Sequence, residues 1–421
     1  MKQKIVLLLP LVAVISVFLL LPTPAHNPKT EGQSFILGPV QIFDGTEVVE
    51  ASFIEVQNGM IVALHNAQPE SDLAFIQGNH QWVIPGLIDA HVHAWGGALE
   101  DNLARGVTTV LDMFGDPRFL AQHKSTRSNR EFSNQADLFG AGLLITAPQG
   151  HGTQYGIQVS TLSHPDQAMS LISERINTGS DFIKIVYTHE GAGYAHAPSI
   201  SKSELEASIK AAHAQNLMAV VHISDAQSAM DAVQAGADGL VHSFFDEVIS
   251  DELVALMQDN HVFVIPTMVV YEGMLRGSIN ERALFSNDDL NIERSARATL
   301  SRTFNNTEFP AHFYSNLLET TKKLHSAGIS VLAGSDAPNP NTAHGWSLII
   351  ELMLLEEAGL PASTVLSAAT QQPALAFNLP ERGMIAPGMR ADMLLLQDSP
   401  FEQLDTLLTP KGIWKNGFRV K

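Results

Sequence analysis

Ile84-Pro85-Gly86-Leu87-Ile88-Asp89-Ala90-His91-Val92-His93 sets a carboxylate and two imidazoles at alternate positions of an apolar run. Side chains alternate across an extended strand, so the spacing predicts Asp89, His91 and His93 on one face. Two imidazoles two residues apart can grip one metal ion, with Asp89 holding one ring by a hydrogen bond from behind. The same pair at a strand end can also be satisfied by water. Four further positions bear on that choice. Phe182-Ile183-Lys184-Ile185-Val186 places an ammonium inside an apolar strand, where desolvation is costly unless the charge is paired or reaches water. Val220-Val221-His222 and Leu240-Val241-His242 each end an apolar run on an imidazole, and Gly334-Ser335-Asp336 ends one on a carboxylate. A lone histidine at a strand end is usually structural. Ligand-type residues at five strand ends together point to a metal site.

The elements that must carry these residues follow from the apolar pattern. Strands are predicted at Val83–His93, Val107–Met113, Leu138–Ala147, Phe182–Tyr187, Met218–Ile223, Gly239–Ser243, Val262–Val269 and Ser330–Asp336. Helical periodicity lies between several of them, including Leu317–Ala327, Trp346–Ala358 and Ser203–Ala214. In the last, Ser203 reads as the N-cap and Glu206 completes a capping box. Eight short buried strands alternating with helices predict an α/β fold, a (β/α)8 TIM barrel over residues 84–379, whose active sites lie at the C-terminal strand ends. A doubly wound sheet is the alternative, but the glycine-rich turn that often follows its first strand is missing. Residues 26–83 and 380–421 are β-rich and each too small for a core of its own, so they are expected to pair as a composite β-sandwich. Asn58-Gly59 is a hairpin signal within the first of them. The stretch from Tyr271 to Phe313 shows no clear strand and reads as a helical lid. His196, His213, His325 and His344 carry no spacing argument.

The chain has 421 residues, with 25 basic and 44 acidic, for a net charge of −19. Such a surface repels phosphates, so nucleic-acid binding is not expected. There is no cysteine, which excludes disulfides, thiolate zinc sites and a cysteine nucleophile, whereas 17 histidines are available as ligands. Lys2 and Lys4 precede an apolar run from Ile5 to Leu21, and Thr23 and Ala25 sit like the small residues before a signal-peptidase cut. Residues 1–25 therefore read as a signal peptide, with a periplasmic or secreted mature protein that has no membrane association. An uncleaved anchor is the alternative. The expected partner is a small-molecule substrate. The sequence leaves the oligomeric state open, a homo-oligomer included.

From about Ile36 to the C-terminus the chain resembles the amidohydrolase superfamily. The resemblance rests on the strand-end residues, on Ala369-Thr370-Gln371-Gln372-Pro373-Ala374, and on Gly383-Met384-Ile385-Ala386-Pro387-Gly388 followed by Ala391-Asp392. It implies His91, His93, Lys184, His222, His242 and Asp336 as metal ligands, with Asp336 also catalytic as the proton carrier. In relatives with the lysine, the amine is carboxylated by carbon dioxide and bridges two divalent ions. Zinc suits these ligands, and manganese or cobalt can substitute. Ala147-Pro148-Gln149-Gly150-His151-Gly152 looks like the loop of the branch holding imidazolonepropionase-like enzymes, Xaa-Pro dipeptidases and ochratoxinase-like amidases, although a glycine is missing before Gly150. That likeness implies His151 at the substrate, and Tyr187 is the candidate for the scissile carbonyl. The implied activity is hydrolysis of an amide or peptide-like bond, in a dipeptide or an N-acyl amino acid. A lactonase or phosphotriesterase-like esterase, a mononuclear deaminase or cyclic-amidine hydrolase, and a non-catalytic metal-binding protein are the alternatives.

Overall fold

The computed structural model describes residues 33–192, 197–276, 290–304 and 309–421. Residues 1–25, read above as a signal peptide, His196 and part of the stretch between Tyr271 and Phe313 lie outside these residues. Within that stretch the described elements are helices, Met268–Leu275 and Arg294–Leu300.

Two parallel ladders carry the central part of the chain. The first joins β1 (Leu87–Val92), β2 (Val107–Asp112) and β3 (Asp137–Gly140). The second joins β4 (Ile183–Val186), β5 (Ala219–His222), β6 (Gly239–Val241) and β7 (Phe263–Ile265). Single parallel bridges extend them: Ile145 pairs with Ile185, Val264 with Val331, and Val92 with Ala337. One apolar cluster draws Ile88, Leu111, Ala141, Phe182, Val220, Val241, Phe263 and Leu332 into an interior layer. A larger cluster packs the outer faces of the strands against helices such as Lys202–Ala214 and Trp346–Glu357. The architecture is a TIM-barrel-like α/β fold.

Several elements end earlier than the apolar runs predict. β3 stops at Gly140, and β7 stops before Pro266, after which Met268 begins a helix. Proline lacks the N–H that a ladder needs, which accounts for the second stop. The segment at 330–337 makes single bridges and no continuous ladder. The helix predicted from Ser203 starts two residues sooner: Ser201 is the N-cap, and Glu204 closes the capping box. Both Ser-x-x-Glu pairs satisfy the motif. The earlier pair adds Lys202 and Ser203, both exposed, to the helix and buries Glu204 in its first turn.

Two further sheets come from the chain ends. One has four strands, Met60–His65, Phe53–Gln57, Phe35–Gly38 and Ala74–Gln77 in spatial order. The other has six and interleaves both ends, with Met393–Leu396 paired antiparallel to Trp82–Pro85. A shared core of Phe35, Ile42, Ile54, Val83, Met393 and Trp414 fills the space between them. Asn58 and Gly59 both take positive φ, 51° and 77°, as a tight hairpin of this hand requires. A buried ion cluster ties this part to the strands: Asp137 of β3 lies 2.7 Å from Lys415 and 2.6 Å from Arg382, and Lys415 also reaches Asp392 at 2.7 Å.

Candidate metal centre

A bulge in β1 sets the phase of the first two histidines. Asp89 pairs with Val110, but the next partners are Val92 and Asp112, so β1 carries one extra residue. Before the bulge Ile88 and Ala90 face the interior layer, and after it Val92 packs outside. His91 and His93 therefore reach the cavity at the C-terminal strand ends, whereas Asp89 does not. This corrects the expectation that all three share one face. Asp89 touches neither ring. Its carboxylate accepts from the His91 N–H at 3.1 Å, the Ser335 N–H at 2.9 Å and the Ser335 hydroxyl at 2.6 Å.

Lys184 and His222 arrive by simple alternation, since Phe182 and Val220 lie in the interior layer two residues before them. His242 does not. Val241 already faces inward, so His242 would point outward if β6 continued. Instead the strand ends at Val241, and His242 adopts φ 73°, which brings its ring to the cavity. Asp336 also has positive φ, 51°.

His91, His93, Lys184, His222, His242, Asp336 and His151 line one cavity of about 580 Å³. Asp336 Oδ1 lies 3.2 Å from His91 Nε2 and 3.1 Å from His93 Nε2. Donor atoms of His91, His242 and Asp336 all fall within 4.8 Å of one another. His222 meets His242 edge-on at 4.5 Å and is stacked by His151 at 5.2 Å. Tyr187 is absent from the cavity wall. Its side chain lies in the outer core and its hydroxyl donates to Asp231 at 2.8 Å. Strand alternation from Lys184 places it there, so its candidacy for the scissile carbonyl is withdrawn.

The donor set fits a cation. His93 Nδ1 lies 3.0 Å from the Phe114 carbonyl, which can only accept, so Nδ1 carries a hydrogen. In the neutral ring Nε2 then presents a lone pair to the carboxylate oxygen, and two acceptors at 3.1 Å need a positive charge between or beside them. The imidazole pKa responds accordingly: burial opposes the charged ring, but Asp336, Asp112 and the Phe114 carbonyl together outweigh it and raise His93. His242 Nδ1 is tied to the Thr267 hydroxyl at 2.7 Å, leaving Nε2 as its free donor. His91 Nδ1 and Asp336 Oδ1 are buried without hydrogen-bond partners. Such atoms are costly in an apolar interior and suit a metal ligand set.

Charges in the cavity are strongly perturbed. Burial opposes ionisation of Asp336, but His91, His93 and His242 hold its pKa well below the usual carboxylate range. Burial pushes His91 down to about 4 and Lys184 down to about 7. Lys184 has no hydrogen-bond partner among the described residues, and Asp336 is the charge that supports its ammonium form. At neutral pH a large share of Lys184 is the free amine.

Residues without a sequence signal complete the site. Thr267, itself at φ 48°, orients His242, and the Phe114 carbonyl orients His93. The Asp112 carboxyl, raised to about 6 by burial, accepts from the Phe114 N–H at 3.2 Å. Gly150 is required where it stands, because a Cβ there would lie 2.3 Å from the Thr146 hydroxyl. That close approach places His151 at the cavity wall.

The model of the amidohydrolase family matches residues 82–420. An uncharacterized protein of Mycobacterium tuberculosis is 23% identical over 301 residues, 68% of this chain and 72% of its own length. Ochratoxinase of Aspergillus niger is 25% identical over 224 residues, 52% of this chain and 41% of its own. Among solved structures, a putative prolidase from Bifidobacterium longum superposes with a TM-score of 0.74 at 21% identity, covering 92% of this chain and 94% of that one. An Xaa-Pro dipeptidase gives 0.71 at 20% identity, covering 92% of this chain and all of that one. These superpositions show a shared fold.

Proposed function

The chain belongs to the amidohydrolase family, hydrolases of carbon–nitrogen bonds, and we propose that it is an exported, metal-dependent hydrolase of an amide or peptide-like bond. The observation that carries this reading is the meeting of His91, His93, His242 and Asp336 with Lys184 and His222 at one cavity. We read the two ladders and their bridging segments as one closed (β/α)8 barrel, which puts that cavity where barrel enzymes keep their chemistry.

His91, His93, Lys184, His222, His242 and Asp336 would hold two divalent ions, zinc by ligand chemistry. Bound there, such ions supply Lewis acidity to a water and to the scissile carbonyl. Lys184 contributes through its free amine, which burial keeps available near neutral pH. That amine can bond to the carbon of carbon dioxide and lose a proton, giving an anionic carbamate with two oxygens. Asp336 accepts the proton of the attacking water and returns it to the leaving nitrogen. Its low pKa keeps it ionised at neutral pH. His151, held on His222, faces the cavity and can donate a ring N–H to the substrate carbonyl.

N-acyl amino acids and dipeptides are the first substrates to try, given the ochratoxinase and dipeptidase relatives. The test is elemental analysis of purified protein together with a panel of dipeptides, N-acyl amino acids and their amides, lactones and phosphotriesters. Two ions per chain and cleavage of a C–N bond are expected. One ion at saturation with deamination, or turnover of lactones or phosphotriesters alone, overturns the reading. Export is tested by mass spectrometry of the native N-terminus, expected near His26. An intact residue 1–25 segment in the membrane fraction overturns it.

A further inference from the structure

The walls above the metal ligands differ in character from the ligands themselves. Phe114, Leu144, Tyr155, Ile157 and Val270 line the cavity, and Trp95 stands at its rim. Phe114 and Tyr155 are 6.2 Å apart and tilted, and Tyr155 meets His151 edge-on at 5.8 Å. Trp95 and Tyr155 are 60% and 56% exposed. Two large aromatic rings open to water beside a reaction centre offer a surface that an apolar group would cover.

The charges in the same cavity point the other way from an anionic substrate. Among the described lining residues there is no arginine, and the one lysine is Lys184, already assigned to the ligand set. Asp116 lines the entrance, and Arg118 beside it is spent on Asp116 at 2.6 Å while its side chain is otherwise open to solvent. A free carboxylate entering here would either displace the carbonyl and the water from the ions or, beside Asp116 at the entrance, leave water with no arginine or second lysine among the described lining residues to meet it.

We propose that this cavity selects a neutral amide whose acyl side is aromatic or bulky and apolar, seated on Phe114, Tyr155 and Trp95, and disfavours an amide with a free carboxylate next to the scissile bond. The proposal rests on the hydrolase reading and narrows its substrate class away from free dipeptides. One water is consumed in the reaction. Its oxygen bonds to the acyl carbon as the C–N bond breaks, and its proton leaves on the amine.

The experiment compares N-benzoylglycinamide, N-benzoylglycine and N-acetylglycinamide with the metal-loaded full chain, following release of benzoate or acetate. The expected result is a kcat/KM for N-benzoylglycinamide about 10-fold or more above both other compounds. Tyr155→Ala should bring the benzoyl and acetyl amides within about 3-fold of each other, chiefly through KM. Tyr155→Arg, which adds a cation at the same exposed position, should shift preference toward N-benzoylglycine. If wild type cleaves N-benzoylglycine as well as or better than its amide, the inference is overturned while the hydrolase reading stands. An unchanged benzoyl preference in Tyr155→Ala overturns the seating. No acid released from any compound counts against the hydrolase reading itself and takes the inference with it.

Discussion

Glu351 offers a stability test that is independent of substrate. It lies in the helix Trp346–Glu357, fully buried, and its Oε2 accepts from the Val269 N–H at 2.8 Å. Its other oxygen has no partner among the described atoms. Burial, with Asp89 and Glu272 nearby, pushes its pKa from 4.5 to about 8. The folded chain therefore keeps a proton that the unfolded chain has lost between those two values. Stability from this group is fully present below the unfolded pKa near 4.5 and declines as pH rises, until the loss is complete above about 8. A shift of that size corresponds to a ceiling of about 5 kcal/mol, at roughly 1.4 kcal/mol per pH unit. Rearrangement and water entry lower the realised value, so about 2–4 kcal/mol is expected. Glu351→Gln keeps an oxygen for Val269 and cannot ionise. The two proteins should match within about 1 kcal/mol at pH 5, and the variant should be more stable by about 2–4 kcal/mol at pH 8.5. Urea unfolding followed by far-UV circular dichroism at both pH values measures the gap. A gap that does not change with pH, or that grows toward acid, refutes the argument that the buried carboxyl is held protonated.

Three further outcomes follow from contacts already described. Lys184→Ala should lose at least one ion per chain by elemental analysis and lower turnover by orders of magnitude, and Lys184→Arg should not rescue, since guanidinium cannot be carboxylated. Thr267→Val removes the 2.7 Å bond to His242 and should weaken metal affinity roughly 10–100-fold in a chelator competition, whereas Thr267→Ser should retain it. Tyr187→Phe should leave kcat/KM within about 2-fold and cost about 1 kcal/mol in urea unfolding, because its hydroxyl serves Asp231. A large fall in kcat for Tyr187→Phe would return it to the active site.

The candidate ligands were legible because each is a polar group inside or at the end of an apolar run, a pattern that burial makes expensive without a purpose. His222 and Lys184 needed only strand alternation to be placed. Two placements depended on backbone irregularity that composition does not announce. The extra residue in β1 separates Asp89 from His91 and His93, and the left-handed turn after Val241 redirects His242. Thr267 was invisible for a related reason: β7 stops before Pro266, and a threonine in an apolar run reads as a strand residue. Tyr187 shows the converse, since alternation from Lys184 turns it away from the cavity and the structure places it in the outer core.

The irregular backbone sits where the ligand geometry must be held most tightly. His242, Thr267 and Asp336 all adopt positive φ without being glycine, at a cost on the order of 1 kcal/mol each. Such conformations persist only where the surroundings over-determine them, and Asp89 supplies part of that constraint. By accepting from the His91 N–H and from both donors of Ser335, it binds the backbone of the first strand to the residue just before Asp336. The Asp336 N–H in turn donates to the His91 carbonyl at 2.7 Å. The separation of His91 and Asp336 is thus set by four hydrogen bonds that involve neither of their ligand atoms. The carboxyl that the sequence placed behind an imidazole ring acts instead on the backbone beneath it, and leaves the candidate ligand atoms to a cation.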